Sequence, residues 1–95
     1  MYAIAFDLDT DILKSTYGGP SYNNAYADIR KTLEGFDFEW QQGSVYFGKT
    51  KVNAVTCVLA TVELKRTFPW FASSVRDIRM LRIEDVNDLK PAIEQ

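Results

Sequence analysis

The stretch Tyr2-Ala3-Ile4-Ala5-Phe6-Asp7-Leu8 places a large residue at nearly every second position at the start of the chain. This alternation predicts a β-strand, and the alanines between the large residues favour close packing of helices on one face. Acids then recur with the same spacing at Asp9 and Asp11. Along an extended chain, this spacing turns the carboxylates of residues 7, 9 and 11 to one side. We therefore expect a strand with an acidic end.

A first helix is expected after the loop that follows this strand. The loop carries a turn signal at residues 18–21, and the helix is expected to start at Pro20 or Ser21. Gly35 stands where the C-cap of the helix belongs. The apolar residues between these points recur at steps of three and four, which defines one helical face: Tyr22, Ala25, Tyr26, Ile29 and Leu33.

Strand patterns follow this helix. Phe36, Phe38 and Trp40 alternate with acids, and an apolar pattern resumes over residues 44–47. Gln41-Gln42-Gly43 interrupts the alternation. The pattern fits either two strands of a tight hairpin or one strand with a bulge at Gly43.

A second helix is expected to begin after Asn53, a favourable N-cap residue. It is expected to end before Pro69, with Trp70-Phe71 as a plug for the core. Cys57 is interpreted as a small core residue of this helix. A last strand is expected over residues 75–83, followed by an acidic tail that forms a short helix or an extra edge strand. The packing face of the second helix is expected to carry Val55, Val58, Leu59 and Val62.

The order strand, helix, strand, strand, helix, strand predicts a ferredoxin-like βαββαβ sandwich of the α+β class. Its sheet is antiparallel, and both helices cover one face. We expect residues 1–95 to form a single domain, because so short a chain does not divide into two cores. The second face of the sheet must meet water, a ligand or another copy. Since the chain holds thirteen aromatic residues, we expect a homodimer or a higher homo-oligomer.

Composition excludes several kinds of chemistry. The chain has no histidine, which excludes Ser-His-Asp and Cys-His catalysis and any histidine metal ligand. A single cysteine cannot form an internal disulfide. The start of the chain lacks the basic and apolar regions of a signal peptide, and no apolar run is long enough for a membrane helix. We therefore expect a cytoplasmic protein without a membrane partner.

Charge is unevenly distributed along the chain. The overall net charge is −2, but residues 49–82 hold seven bases against two acids, a net charge of +5. The segments before and after this one are acidic. Such segregation is compatible with a polyanionic partner, while a pair of solvated faces is the simpler explanation from charge alone.

Two candidate sites lie near the strand ends. The carboxylates of Asp7, Asp9 and Asp11 suit a hard cation such as Mg²⁺ or Mn²⁺, with an ordinary acidic loop as the alternative. Gln41, Gln42 and the hydroxyl of Ser44 can donate hydrogen bonds to phosphate or to a base edge. Ordinary turn chemistry is the alternative for this second group.

The last strand holds a third candidate site, in residues 75–82. Alternation turns Arg76 to the same side as Ile78, Met80 and Arg82, and turns Asp77, Arg79 and Leu81 to the other. Arginines on a sheet suit phosphate binding. Asp77 is either a second acid of the site or the salt-bridge partner of an arginine, and surface ion pairing is the alternative reading of the whole strand.

Three segments together resemble the virulence-associated protein D (VapD) family of bacteria. They are the opening stretch Met1 to Leu8, the stretch Trp40 to Gly48, and Trp70-Phe71 with residues 74–79. The resemblance covers nearly the whole chain. It implies a ribonuclease, often the toxin of a toxin–antitoxin pair, with a ferredoxin-like fold shared with small CRISPR-associated endoribonucleases.

The resemblance also implies a site. The strand-ending acid and the Gln-x-x-Ser-Val hairpin of those proteins correspond to Asp7 and to Gln41, Ser44 and Val45. A homodimer with Asp7 near its axis is implied, and so is a divalent metal at Asp7. The implied catalytic set is Asp7, Ser44 and Asp77, and the RNA contacts are Arg76, Arg79, Gln41 and Gln42.

Two other functions remain open from the sequence. One is an inactive module that binds RNA or DNA with the same fold, since fold does not guarantee activity. The other is a protein-interaction domain that pairs with an antitoxin.

Overall fold

The computed structural model describes residues 1–19 and 21–94. The predicted series of strands and helices is present, two unpredicted short helices are added to it, and the tail forms a third short helix. In chain order the elements are β1 (Tyr2–Leu8), α1 (Thr10–Thr16), α2 (Asn24–Glu34), β2 (Phe38–Gln42), β3 (Val45–Gly48), α3 (Ala54–Thr67), α4 (Phe71–Ser74), β4 (Val75–Arg82) and α5 (Lys90–Ile93).

The four strands form one antiparallel sheet in the order β2-β3-β1-β4. The central strand β1 buries Ile4 and Phe6 against the helices, and its neighbours add Phe38 and Tyr46 to the same core. Helices α2 and α3 supply the opposing apolar residues, including Ile29 and Leu64. The ferredoxin-like α+β prediction is therefore confirmed. Helices α2 and α3 pack on this one side of the sheet, and the opposite side is here called the open face.

The chain after β1 does not remain extended, because helix α1 begins at Thr10. The expected loop is therefore wrong, and so is the expectation that the carboxylates of residues 7, 9 and 11 point to one side. Asp9 is instead the N-cap of α1, where its Oδ1 accepts hydrogen bonds from the backbone N–H groups of Asp11 (3.0 Å) and Ile12 (3.1 Å). An aspartate at this position satisfies donors that a helix start leaves free, so it favours a helix over an extended chain. Leu13 anchors the helix by complete burial.

Helix α2 begins later than expected, at Asn24 rather than at Ser21. The backbone N–H of Asn24 donates to the carbonyl of Ser21 over 3.1 Å, so a turn precedes the helix. The other expected start, Pro20, lies outside the described residues. Gly35 is the C-cap, as expected.

Strands β2 and β3 form a hairpin, which settles the choice in favour of two strands. The irregularity lies in β2, where the register shifts between Trp40 and Gln42, rather than at Gly43. Gly43 occupies the turn with φ of +47°, a conformation that glycine adopts without steric penalty.

The expected packing face of α3 is wrong. Helix α3 buries the small residues Cys57 and Ala60 together with Leu64. Small side chains let the helix approach the sheet closely, so the larger aliphatic residues lie on the outer side. The buried position of Cys57 is as expected, and burial raises the pKa of its thiol. Each side chain of the expected face is more than half exposed, and together they form what we call the α3 stripe: Val55, Val58, Leu59 and Val62.

The segment after α3 supports the core as expected. Trp70 and Phe71 are buried, and the Trp70 ring lies 5.0 Å from that of Phe68 and 5.4 Å from that of Tyr17, measured between centroids. After β4, the backbone N–H of Ile83 donates to the carbonyl of Met1, and the tail then forms the short helix α5 rather than an edge strand. None of the described helices combines the length and the apolar character required to cross a membrane.

Two leucines of α3 provide a matched test of its orientation. Leu64 is fully buried and Leu59 is 54% exposed. We expect Leu64→Ala to lower the free energy of unfolding by about 2–5 kcal/mol, because it leaves a cavity in the core. Leu59→Ala should lower it by less than about 1 kcal/mol. Urea denaturation of both variants measures the difference, and equal losses would contradict the placement of α3.

Candidate active site

Two carboxylates lie opposite each other on the neighbouring strands β1 and β4, close to the end of β1. Asp7 of β1 is the direct antiparallel partner of Asp77 of β4. Both side chains are accessible, with exposures of 61% and 50%. Since neighbouring residues of a strand point to opposite faces, Asp7 lies on the open face while Phe6 and Leu8 enter the core. Like charges placed directly opposite in a sheet are destabilising, so positive partners are needed nearby.

Arg76 is one of these positive partners, and its position results from a shift in the register between β1 and β4. Asp7 pairs with Asp77 but Leu8 pairs with Val75, so the register shifts and Arg76 is the extra residue. The expected alternation therefore fails at Arg76. Its guanidinium instead reaches the acidic end of β1, with Nη1 3.9 Å from Asp7 Oδ2 and Nη2 donating to Asp9 Oδ2 over 3.1 Å.

Arg79 is the second positive partner. Its Nε donates to both carboxylate oxygens of Asp77, at 3.2 Å and 3.1 Å. The Arg79 side chain is 72% exposed and that of Arg76 is 63% exposed. Both guanidinium groups therefore remain open to a ligand while they offset the facing carboxylates. Planar guanidinium groups in such positions suit the oxygens of a phosphate.

Asp9 has a structural role in this arrangement. One carboxylate oxygen caps α1 and the other accepts from Arg76. The hydrogen bond from the Ile12 backbone, followed by that from Arg76, holds the pKa of Asp9 below its ordinary value. The hydrogen bond to Asp9 in turn raises the pKa of Arg76, with help from the charges of Asp9 and Asp7.

The β2–β3 hairpin carries one residue of the expected catalytic set, Ser44, and two of the expected RNA-binding set, Gln41 and Gln42. The carbonyl of Ser44 accepts a hydrogen bond of 3.1 Å from the backbone N–H of Phe6, next to Asp7 in the chain. Gln41 and Gln42 are exposed on β2, two strands away from β1. The Gln41 amide donates to the backbone of Glu39, over 3.2 Å. The structure therefore places Ser44 beside the facing carboxylates and the two glutamines farther out.

Sequence reasoning gave no functional role to Tyr26 of α2, which packs against the hydrophobic core. Burial raises the pKa of Tyr26, and the charges of Tyr22 and Asp7 add to the effect. Arg30 follows one helical turn later, with its guanidinium carbon 4.0 Å from the centroid of the Trp40 ring. The spacing of four puts Tyr26 and Arg30 on one helical face, but the sequence does not show which strand end that face meets.

The candidate site offers few protein ligands for a metal ion. Across residues 1–19 and 21–94, no group of three potential ligands is arranged to hold a metal ion. Asp7 and Asp77 offer a pair of facing carboxylates. Mg²⁺ is commonly held by one or two carboxylates that act together with water and substrate phosphates. The pair therefore fits a cation that arrives with a phosphate ligand.

Comparisons with known proteins agree with this fold and with the earlier resemblance. The family described as CRISPR associated protein Cas2 matches residues 1–90, which defines the class of protein. Endoribonuclease VapD 2 of Riemerella anatipestifer is 50% identical over 93 residues, covering 98% of this chain and 99% of its own.

An endoribonuclease VapD homolog of Helicobacter pylori is 51% identical over 94 residues, covering 99% of this chain and 97% of its own. Endoribonuclease VapD of Haemophilus influenzae is 35% identical over 88 residues, covering 93% and 92%. The chain belongs to the VapD family within the Cas2 class.

The pKa of Asp9 predicts a specific dependence of stability on pH. Because this pKa is lower in the folded chain than its ordinary value of 3.8, the charged carboxylate stabilises the fold above about pH 4. The contribution is lost as the pH falls from there through the lowered pKa. Asp9→Asn keeps an oxygen for the helix cap but loses the ion pair with Arg76.

We therefore expect wild type to be more stable than Asp9→Asn at neutral pH and the difference to shrink in acid. Urea denaturation of both proteins over a pH series measures it. A difference that stays constant, or grows toward acid pH, would contradict the role of Asp9.

Proposed function

We propose that the protein is an endoribonuclease that cleaves single-stranded RNA, including mRNA, at the facing carboxylates of Asp7 and Asp77. The observation that carries the proposal is the cross-strand pair itself, exposed at a strand end with an arginine beside each acid. The names of the VapD relatives give independent support.

Asp7 is the proposed base of the reaction. It stands at the end of a central strand, and rigid placement is what a catalytic carboxylate requires. Its oxygen takes the proton from the attacking hydroxyl, which is either the ribose 2′-hydroxyl or water. The hydroxyl oxygen bonds to the phosphorus while negative charge builds up on the phosphate oxygens. The bond to the leaving oxygen then breaks, and that oxygen keeps the electron pair and takes a proton from solvent.

The two arginines are the proposed contacts for that charge. Arg76 and Arg79 are held by carboxylates yet remain more than 60% exposed, so a phosphate can approach them. Groups held in place before the reaction stabilise developing charge without reorganisation. Asp77 orients Arg79 through two hydrogen bonds. The hydroxyl of Ser44 is proposed as a further donor to the phosphate, because the backbone of Ser44 is hydrogen-bonded to Phe6, beside Asp7.

Gln41 and Gln42 extend the proposed RNA contacts along the hairpin. Both are exposed on β2, which is an edge strand. Amide groups at such an edge can hydrogen-bond phosphates or base edges away from the reacting bond. Removal of either amide should therefore weaken RNA binding more than it slows the chemical step.

A divalent cation, Mg²⁺ or Mn²⁺, is proposed as an addition to this site. Asp7 and Asp77 would hold it together with the phosphate of the substrate. The cation would supply positive charge to the phosphate oxygens. EDTA separates the two cases, since it should abolish cleavage if the cation is required and leave it intact if the arginines suffice.

The first test removes the proposed base. We expect Asp7→Asn to slow RNA cleavage by about 100- to 10,000-fold, the usual contribution of a general base. RNA affinity and melting temperature should change little, because the Asp7 side chain is exposed. Cleavage of a labelled single-stranded RNA by purified protein measures the effect.

The matched control for a contaminating nuclease is Asp11→Asn, purified in parallel. Asp11 lies in the first turn of α1 and is exposed, so this variant should keep full activity. Cleavage that survives in Asp7→Asn would contradict the assignment. RNA binding without any cleavage by wild type would favour an inactive binding module instead.

A homodimer formed through the open face is also proposed. Register places Phe47 and Leu81 beside Ala3 on this face, and 42% of Leu81 remains exposed. Asp7 and Asp77 lie on the same face. Pairing of two open faces would therefore cover apolar residues and bring the two active sites together.

Two exposed leucines distinguish the open face from the α3 stripe. We expect Leu81→Glu to weaken the dimer by about 100-fold or more, because a charge would be buried without a partner. Leu59→Glu places the same charge on the α3 stripe and should leave the dimer intact. Analytical ultracentrifugation of both variants measures the mass. A monomeric Leu59→Glu with a dimeric Leu81→Glu would contradict the proposed interface.

A toxin role in a toxin–antitoxin pair follows if the chain cleaves cellular mRNA. It places the protein in the cytoplasm, where mRNA is available, and calls for an antitoxin protein that blocks the site. The basic character of residues 49–82 suits such a polyanionic substrate. Comparison of wild type with Asp7→Asn also tests this role. Expression of wild type in bacteria should arrest growth, and expression of the variant should not. Co-expression of a small protein encoded beside the gene should relieve the arrest.

A further inference from the structure

Ser74 is a buried polar residue directly before the strand that carries two residues of the candidate active site. It is the last residue of α4, and β4 follows it with Arg76 and Asp77. Its exposure is 0%, and no other serine, threonine, amide or charged side chain is buried in the part of the chain that the structure describes. Since buried polar groups are normally hydrogen-bonded, the partners of Ser74 define what it holds together.

The Ser74 hydroxyl reaches the last turn of α1. Its Oγ lies 3.3 Å from the Oγ1 of Thr16, which is within hydrogen-bond distance. Thr16 is the final residue of α1, and its hydroxyl also donates to the carbonyl of Ile12 one turn earlier, over 2.8 Å. The two hydroxyls therefore join the C-terminal end of α1 to the residue that precedes β4.

The backbone of Ser74 holds the other end of the same helix. Its carbonyl accepts a hydrogen bond of 2.7 Å from the backbone N–H of Asp9, the N-cap of α1. Its own N–H donates to the carbonyl of the buried Trp70, over 3.2 Å. We call the contacts of Ser74 with Thr16 and Asp9 the α1 clamp, because they fix both ends of α1 to one residue.

The α1 clamp lies at the point where the register of β4 shifts. Val75 pairs with Leu8, and the next residue, Arg76, is the extra one. A bulge leaves its extra residue outside the regular ladder, so contacts beside the bulge have to fix its position. The guanidinium of Arg76 donates to Asp9, whose backbone is bound to Ser74. Displacement of α1 relative to β4 would therefore displace Arg76 as well.

We propose that Ser74 is a positioning residue of the active site, which holds the guanidinium of Arg76 at the acidic end of β1 through the α1 clamp. The inference rests on the proposed RNA cleavage and adds to it a residue that does not touch the RNA. Ser74 is inaccessible, so it acts through Arg76 alone. A charge that is fixed before the reaction stabilises the transition state without reorganisation, which is what the clamp supplies.

Substitutions at Thr16 test the α1 clamp from its exposed side. Thr16→Val keeps the shape of the side chain and removes the hydroxyl, while Thr16→Ser keeps the hydroxyl. We expect Thr16→Val to lower kcat for cleavage of a labelled single-stranded RNA by about tenfold or more with little change in KM, because a displaced Arg76 loses its contact in the transition state. Thr16→Ser should retain the wild-type kcat. Ser15→Ala is the control, since Ser15 donates to the same carbonyl of Ile12.

Two adjacent serines provide the matched test from the buried side. Ser74→Ala removes the buried hydroxyl and should lower kcat as Thr16→Val does. Ser73→Ala removes a hydroxyl that donates to the carbonyl of Trp70 within the same turn, and it should keep the wild-type kcat. Circular dichroism at the assay temperature establishes that each variant is folded.

A second background separates positioning from a loss of stability. In Arg76→Ala, the guanidinium that the α1 clamp holds is absent, so Ser74→Ala should slow cleavage no further. A general weakening of the fold would instead lower the rate by the same factor in both backgrounds, and this result would contradict the positioning role.

The NMR signals of the Arg76 guanidinium nitrogens report the position of this group without RNA. We expect these signals to move toward those of a freely exposed arginine in Ser74→Ala and in Thr16→Val. They should keep their wild-type positions in Ser73→Ala.

A wild-type kcat in Ser74→Ala or in Thr16→Val would overturn the inference, and so would unchanged signals of Arg76. The two readouts also separate the inference from the function on which it rests. Cleavage by wild type that does not depend on Ser74 contradicts the positioning role alone. A wild-type protein that does not cleave RNA, although its Arg76 signals depend on Ser74, contradicts the cleavage proposal alone.

Discussion

The register shift between β1 and β4 is the constraint on which the candidate site depends. One extra residue, Arg76, allows Asp7 to face Asp77 while Leu8 still pairs with Val75 and enters the core. Without the shift, strict alternation would turn Arg76 to the helix side of the sheet, away from the carboxylates. The bulge therefore converts a repulsive pair of acids into a mixed cluster of acids and arginines, which is open to solvent.

Much of the fold follows from local patterns in the sequence. The alternation in residues 2–8 and the three- and four-residue steps of α2 correctly predict a central strand and a helix that packs on it. Helix α3 shows the limit of such patterns, because two of its faces are apolar. The stripe of large residues looked like the packing face, but close approach to the sheet selects the side with Cys57 and Ala60.

The candidate site was only partly predictable for a similar reason. Asp7 and Asp77 are cross-strand partners, and the backbone of Ser44 is hydrogen-bonded to Phe6 beside them; their catalytic roles stay a prediction. The place of Arg76 depends on a bulge that alternation does not reveal, and Asp9 caps a helix hidden in an expected loop. The N-cap signal of Asp9, followed by the apolar Ile12 and Leu13, was present in the sequence. Arg30 gave no such signal, since only tertiary packing brings α2 to Trp40.

The central claim is that Asp7 and Asp77 act as one unit, and a double-mutant cycle on RNA cleavage tests it most directly. The rate constants of Asp7→Asn, Asp77→Asn and the double variant are compared with wild type under the same salt and metal conditions. The account predicts that each single change removes most of the activity and that the double variant is no slower than the slower single variant. Losses that multiply, or an Asp77→Asn protein with wild-type activity, would contradict it.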